Sequence, residues 1–307
     1  MNALAPHRRG LVLLGVGVLA ALSSAARAAD PLVWKLEPGL TNRYEMTQKM
    51  DMKMNVGGGA ETSVGVEQTI NFSWTVDSIK DDGAAVLKQK IDRMQMTITA
   101  NDGQKSQIDS ASDKPPEGQA AQLAPLLKEF TSSAFTVTMN PRGEILEVEV
   151  PESLVKALQG IPGAAVMGDL TTAEGFKKLV KQTSFTIPET LEPGAQWTAT
   201  AETKNPAIGT QVIETTYKYE GPREVDGKTM EVFTPTLVMK YEAGDGGTKI
   251  EVVGQESSGE ILFNRDDGRL ESSKIEQGMD LKFNAQGHDA TQKLDQVVET
   301  KWMPEEK

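Results

Sequence analysis

The 307-residue sequence contains no cysteine and only two histidines, His7 and His288. Thiol catalysis, His-ligated metal sites and most Ser-His-Asp chemistry are excluded with them. Disulfide stapling is excluded as well, so stability must come from a core, which a chain of this length can build. Basic residues are also in short supply, with 32 Lys and Arg against 44 Asp and Glu and a formal net charge of −12. An acidic surface repels phosphate backbones, which excludes nucleic acid as a partner, and anionic lipid headgroups are disfavoured on the same ground. The largest basic cluster is Lys177, Lys178 and Lys181. Beyond the N-terminus no run is apolar enough for an integral membrane segment.

The N-terminus itself reads as a signal peptide. Arg8 and Arg9 supply a positive start, Gly10–Leu22 is an uncharged apolar run too short to span a bilayer, and Ala26-Arg27-Ala28 fits the small-x-small cleavage pattern. Cleavage is expected after Ala28. Removal of Arg8, Arg9 and Arg27 takes the formal charge from −12 to −15. The expected location is therefore outside the cytoplasm, periplasmic or extracellular.

The rest is dominated by period-two alternation. Tyr44, Met46, Met50, Met52, Met54 and Val56 occupy even positions between polar odd ones, with Gln48 the one polar residue among them. After Gly57-Gly58-Gly59, the even positions Val64 to Val76 repeat the pattern with Gln68 as the exception. A three-residue loop pairs Val56 with Ala60 and sets Gln48 opposite Gln68, where their amides could satisfy one another. In the next strand the apolar face changes parity between Ile91 and Met94, which predicts a β-bulge near Asp92-Arg93. Leu123, Leu126, Leu127 and Phe130 then have helical spacing, and strands resume at Phe135.

Landmarks of this first part recur in order. Leu36-Glu37-Pro38-Gly39 returns as Leu191-Glu192-Pro193-Gly194. A parity switch around Pro235 mirrors the one at Asp92, and Asn264–Gly268 parallels the turn Asn140–Gly143. These point to an internal duplication. The expected fold is mainly β (α+β): two related antiparallel β-sheet halves, 29–150 and 189–307, joined by a short helical connector, 151–188. The halves could form two lobes or one continuous sheet system. Within the connector, Leu154, Val155 and Leu158 share a helix face, and Thr171 to Glu174 fits a capping box ahead of the stripe Phe176, Leu179 and Val180. Its middle, Gly160–Gly168, is uncharged and Gly-rich. A plain linker would be polar, so the connector reads as a cover packed on the sheets, with Leu158, Ile161, Val166, Phe176 and Leu179 as its apolar contacts.

No catalytic, cofactor or metal motif stands out. Ser153-Leu154-Val155-Lys156 fits S-x-x-K but lacks the accompanying S-x-N and K-T-G elements, and a helix first turn explains Ser153. Asn264, Asp266, Asp267 and Glu271 offer oxygens to Ca²⁺, but their spacing is not that of an EF-hand and Asp-Asp-Gly is ordinary turn chemistry. Met46, Met50, Met52, Met54, Met94 and Met96 could ligate Cu(I), but alternation with charged residues favours a core or an adaptable apolar pocket. His288 sits in a turn without a second histidine to work with.

The leader, the LEPG opening, the Met-rich first strand, Glu152–Leu158 and the second opening Leu191–Trp197 together resemble a family of exported bacterial proteins of unknown function. That resemblance implies no activity and no site residues. At the level of fold, the arrangement is similar to the half-barrel sheets of periplasmic lipoprotein carriers, in which helices plug a concave apolar face. Two functions are consistent with these readings: a non-catalytic carrier for an apolar ligand or partner, or a structural or interaction protein of the cell envelope. An apolar cavity of several hundred Å³ beneath the connector would favour the first.

Overall fold

A computed structural model describes residues 31–113, 121, 124–160, 168–169, 171–182, 184–205, 209–244, 248–285 and 288–305. The alternating segments form twelve strands: β1 (Thr41–Val56), β2 (Thr62–Ile79), β3 (Ala85–Thr99), β4 (Lys105–Asp109), β5 (Ala134–Met139), β6 (Ile145–Glu149), β7 (Gln196–Asn205), β8 (Gly209–Val225), β9 (Lys228–Glu242), β10 (Lys249–Asn264), β11 (Arg269–Ala285) and β12 (His288–Met303). Three helices interrupt them: α1 (Ala124–Ser132), α2 (Glu152–Gln159) and α3 (Ala173–Gln182).

All twelve strands belong to one antiparallel sheet in the order β6-β5-β3-β2-β1-β12-β11-β10-β9-β8-β7, with β4 paired to β3. The first and last strands form the central seam, from Arg43 opposite Met303 to Val56 opposite Ala290. A meander runs outward from each side of that seam. The sheet is therefore one continuous system. Helix α3 lies against both β6 and β7, the outermost strands at opposite ends of the order. Two edges can share one helix only if the sheet is curled, and the helix then covers edges that would otherwise be exposed.

The local registers follow the alternation. Gln48 stands opposite Gln68, although no hydrogen bond joins the two amides. The bulge in β3 falls at Asp92, because Asn71 pairs with Arg93 and Phe72 with Ile91. The two LEPG segments fold alike. Leu40 N–H donates to Glu37 O and Ala195 N–H to Glu192 O, each closing a turn whose third residue is a glycine at φ 85° or 92°. Gly39 N–H then donates to Val76 O in β2, and Gly194 N–H to Tyr219 O in β8.

The second expected bulge is displaced. Strand β9 stays in register with β8 through Pro235, which faces Tyr217, and the shift lies on β8 between Tyr219 and Gly221. The feature at Pro235 is instead a break in the β9–β10 ladder. Only Met230–Phe233 pair with Ile261–Asn264. Proline has no N–H to give, and a Cβ on Gly259 would come within 2.8 Å of Pro235 Cγ. Beyond the break, side chains replace the ladder: Ser257 Oγ accepts from Leu237 N–H, and Gln255 Oε1 accepts from Met239 N–H. The helix cap also moves by one residue. Thr172, not Thr171, caps α3 by accepting from Gly175 N–H at 3.0 Å.

One face of the curled sheet carries the apolar residues. Its main core joins Val76, Leu87, Val137 and Val148 of one wing to Tyr219, Phe233, Ile261 and Phe263 of the other. Leu32 and Trp34, ahead of β1, and Ile187, after α3, complete it.

Candidate functional site

Three chain segments converge at one end of the inner face around an open-sided cavity of about 350 Å³. The floor is sheet: Trp74 of β2, Leu87 and Gln89 of β3, and Phe135, Val137 and Met139 of β5. Strand alternation aims these side chains inward, since Leu87 stands opposite both Val76 and Val137, and Gln89 opposite Trp74 and Phe135. The roof is the connector: Phe176 and Val180 from α3, with Ser184 and Phe185 after it. The end wall is Trp34 with Gly143 and Leu270.

Trp34 is placed by its backbone. Its N–H donates to Pro141 O at 2.7 Å, and Lys35 N–H donates to Gly268 O at 2.8 Å, so the segment ahead of β1 ties the β5–β6 turn to the β10–β11 turn. The Trp34 ring lies 6.0 Å from Trp74 and meets Phe263 edge-on at 5.2 Å. Gly143 is required where these parts meet. Its φ is +91°, and a Cβ there would stand 2.3 Å from Phe185 O and 2.5 Å from Trp34 Nε1. The indole N–H groups of Trp34 and Trp74 are buried without a hydrogen-bond acceptor.

The residues assigned to the connector's cover are distributed as follows. Leu158 is buried at 4% exposure on α2, which packs beside α1. Phe176 is half-buried, edge-on to Phe135 at 6.0 Å, and lines the cavity. Leu179 is half-buried. Ile161, Val166 and the cleavage residue Ala28 lie outside the described residues. The structure thus brings Phe176 to the cavity and buries Leu158 elsewhere, on α2. Val180, on the same helical stripe as Phe176, lines the cavity with it, whereas Trp34 and Phe185 were missed. Their signal was present for Trp34, in the alternation of Leu32, Trp34 and Leu36 just before the LEPG turn.

A family model described as a family of unknown function, DUF6263, matches residues 82–291. The chain belongs to that family. No curated protein matches it in sequence. Among solved structures, one describing lipid–protein interactions in lipovitellin is similar with a TM-score of 0.46 and 11% identity, over 88% of this chain and 26% of that one. The DUF6263 chain thus spans about a quarter of the lipovitellin chain it matches. The COG4313 outer membrane channel from Pseudomonas putida F1 gives a TM-score of 0.23 at 8% identity, over 88% of this chain and 97% of that one. A DUF1329 family protein from Desulfovibrio piger ATCC 29098 gives 0.13 at 9% identity, over 82% and 84%. All three TM-scores are low.

The polar candidates of this DUF6263 protein are engaged by their neighbours. Arg269, itself buried, pairs with Asp267 at 2.8 Å and Glu271 at 2.6 Å and lies 3.5 Å over the Trp302 ring. Asp267 also accepts from the Asn264 amide. Asp267 and Glu271, two of the residues considered for Ca²⁺, therefore face a guanidinium. The methionines of β1 are half-buried on the inner face and none stands opposite another: Ile70 separates Met46 from Met94, and Gln68 lies between Gln48 and Met96. Ser153 is exposed, and Lys156 pairs with Glu152. His288 opens β12, and its side chain lies outside the described residues. Among the described residues, no group of three or more His, Cys, Asp or Glu could hold a metal, and no helix is long and apolar enough to cross a membrane.

On β9, Glu231 is 2% exposed and joins Tyr219 and Arg265. The Tyr219 hydroxyl donates to one carboxylate oxygen and Arg265 Nε to the other at 2.5 Å. Burial, followed by the bond to Glu231, pushes the Tyr219 phenol up to about 12. The network fixes Tyr219, whose ring packs 5.2 Å from that of Phe233 in the main core.

Proposed function

We propose that the protein is an exported, non-catalytic carrier or binding protein that holds an apolar ligand between the inner face of its sheet and the connector. The observation that carries this reading is the cavity of about 350 Å³, which falls within the size range of small-molecule sites and is walled mostly by aliphatic and aromatic side chains. A protein that only filled its core would pack this space, since interiors are close-packed.

The roof is also the part of the wall most easily moved. Helix α3 presents its apolar side to the cavity through Phe176 and Val180. At its C-terminal end Gln182 Oε1 accepts from Glu202 N–H at 2.9 Å, and its outer side carries the pair Lys178–Glu202 at 3.1 Å, both partners at least a third exposed. Such pairs contribute little. Displacing α3 between β6 and β7 opens the space between the sheet's edges without breaking a strand ladder, because α3 is the element that lies against both. Ligand entry is assigned to that route.

Native mass spectrometry of the protein purified from its own cell envelope tests the reading. A co-purifying small apolar molecule, lost on organic extraction, is the expected result. A stoichiometric partner protein and an empty cavity would instead support a structural or interaction role in the envelope.

A further inference from the structure

A second feature lies on the inner face, away from the cavity. Gln48 stands opposite Gln68, and Gln296 opposite Gln277. Gln296 faces Met50, one inner position along from Gln48, and Ser257 faces Gln277. Alternation puts all five side chains on the inner face, so they form a polar belt across β2, β1, β12, β11 and β10, adjacent strands of the sheet. Ser257 Oγ is spent on Leu237 N–H. The four glutamines are half-buried, and their amides bond neither to each other nor to any other described residue. Only Gln277 Nε2 among their amide atoms is fully buried; the others have accessible surface. Gln68 is six residues from Trp74 along β2, about 20 Å at ~3.3 Å per residue, and none of the belt lines the cavity.

The belt belongs to neither a solvent face nor a core. Outer positions of β1 and β12 carry Lys49, Asp51, Lys293 and Asp295, but the even-numbered inner positions from Tyr44 to Met54 and from Ala290 to Trp302 include no charged residue. Half-buried Met46 and Ile70 border the belt on one side, and Met52, Val64 and Leu294 on the other. A packed interior would pair its amides. Among the described residues the helices pack chiefly on β3, β6 and β7, not on the strands at the belt's centre.

We infer that this belt is a second ligand site, which takes an uncharged amphiphile: hydroxyl or carboxamide groups meet the glutamine amides, and the apolar part lies along the bordering side chains. The site is separate from the cavity and does not depend on the cavity's assignment. A glutamine amide both donates and accepts, so it matches a group that does both. A pure hydrocarbon would cover the amides and leave them unmet. An ionised headgroup would enter a trough that holds no counter-charge, which is costlier still.

The test titrates 1-decanoylglycerol, decane and decanoate separately into delipidated full-length mature protein carrying nitrogen-15 in its glutamine side-chain amides. 1-Decanoylglycerol is expected to move the Gln48, Gln68, Gln277 and Gln296 signals, while that of Gln107, exposed on β4, stays in place. Read on the same signals, decane and decanoate should bind at least about tenfold more weakly. Gln48→Met and Gln296→Met should each weaken 1-decanoylglycerol by about three- to tenfold, the range of one net hydrogen bond. Both should fold, because methionine already occupies neighbouring positions of this face. Val137→Phe, which fills the cavity, should leave binding at the belt unchanged. Decane or decanoate binding the belt as tightly, or both methionine variants binding like wild type, overturns the inference. Unmoved glutamine signals together with binding lost in Val137→Phe place the ligand in the cavity, which overturns the second site and leaves the carrier reading standing. Unmoved signals with no binding of any probe overturn both.

Discussion

Replacing Val137 with phenylalanine asks whether the space beneath α3 is a binding cavity, and the sign of the stability change answers. Val137 is 3% exposed, sits on β5 and lines the cavity. The substitution adds four carbons. If they enter an apolar space of about 350 Å³, burial at ~0.8 kcal/mol per carbon stabilises by at most ~3 kcal/mol. Part of this is lost to rotamer entropy and imperfect contact, so a net gain of roughly 1–2 kcal/mol is expected. In a filled core the same carbons force neighbours off their rotamers and cost about 1–3 kcal/mol. The two cases therefore differ in sign. Urea unfolding of delipidated Val137→Phe and wild-type protein measures the difference, with an unchanged slope showing that the unfolded state is the same. The thermal midpoint should rise by about 2–4 °C per kcal/mol. Affinity for an apolar probe should fall at least tenfold, because the ring occupies the ligand's place. A destabilised variant that binds the probe normally would refute the assignment of this cavity.

Gly143→Ala should destabilise by at least ~2 kcal/mol in urea, since its φ of +91° is strained for alanine and its Cβ meets Phe185 O and the Trp34 indole. Glu231→Gln should cost about 3 kcal/mol by removing the buried carboxylate that Tyr219 and Arg265 share, and Glu231→Leu combined with Arg265→Met and Tyr219→Phe should recover most of it. Tyr219 gives a pH dependence. Its folded pKa of about 12 lies above the unfolded value near 10, so the folded state holds the extra proton in between. Its contribution is complete below about pH 10 and is lost as pH rises through about 12. Tyr219→Phe should reduce that alkaline slope without abolishing it, because burial also raises Tyr44, Tyr217 and Tyr241.

What could be read from the sequence was what its local periodicity encodes. The β1–β2 register, the bulge at Asp92 and the LEPG turns each depend on residues close in the chain, where alternation leaves one way to keep apolar side chains on one face. The central seam was not legible. Pairing β1 with β12 is a contact between the ends of the chain, and neither strand carries a local mark of its partner. Pro235 misled for a related reason. A parity change looks the same whether a strand bulges or its backbone ladder stops, and here the ladder to β10 gives way to side-chain bonds. Of the cavity, Phe176 was anticipated as cover, Val180 as part of its stripe and Trp74 as part of the apolar face of the first hairpin. The floor residues Leu87 and Val137 were visible as strand positions, but their convergence with Trp34 depends on the backbone bonds to Pro141 and Gly268.

The seam also explains why the connector crosses the cavity. With β1 and β12 paired at the centre, each wing grows outward, and the chain must leave one edge at β6 and enter the other at β7. In a curled sheet the path between the edges passes over the open side, and a segment on that path has one face on apolar sheet. The apolar character of α3 is thus a consequence of strand order. If it is also the door, fixing it should trap the ligand. Lys178 on α3 and Glu202 on β7 approach to 3.1 Å, and the absence of cysteine lets two introduced thiols react alone. A Lys178→Cys/Glu202→Cys variant joined by a short bis-maleimide should keep a preloaded apolar probe at least ten times longer than the uncoupled variant. The uncoupled variant should keep the wild-type thermal midpoint within a few degrees, because the exposed pair it lacks contributes under ~1 kcal/mol. Equal release rates from coupled and uncoupled protein would place the exit elsewhere on the cavity wall.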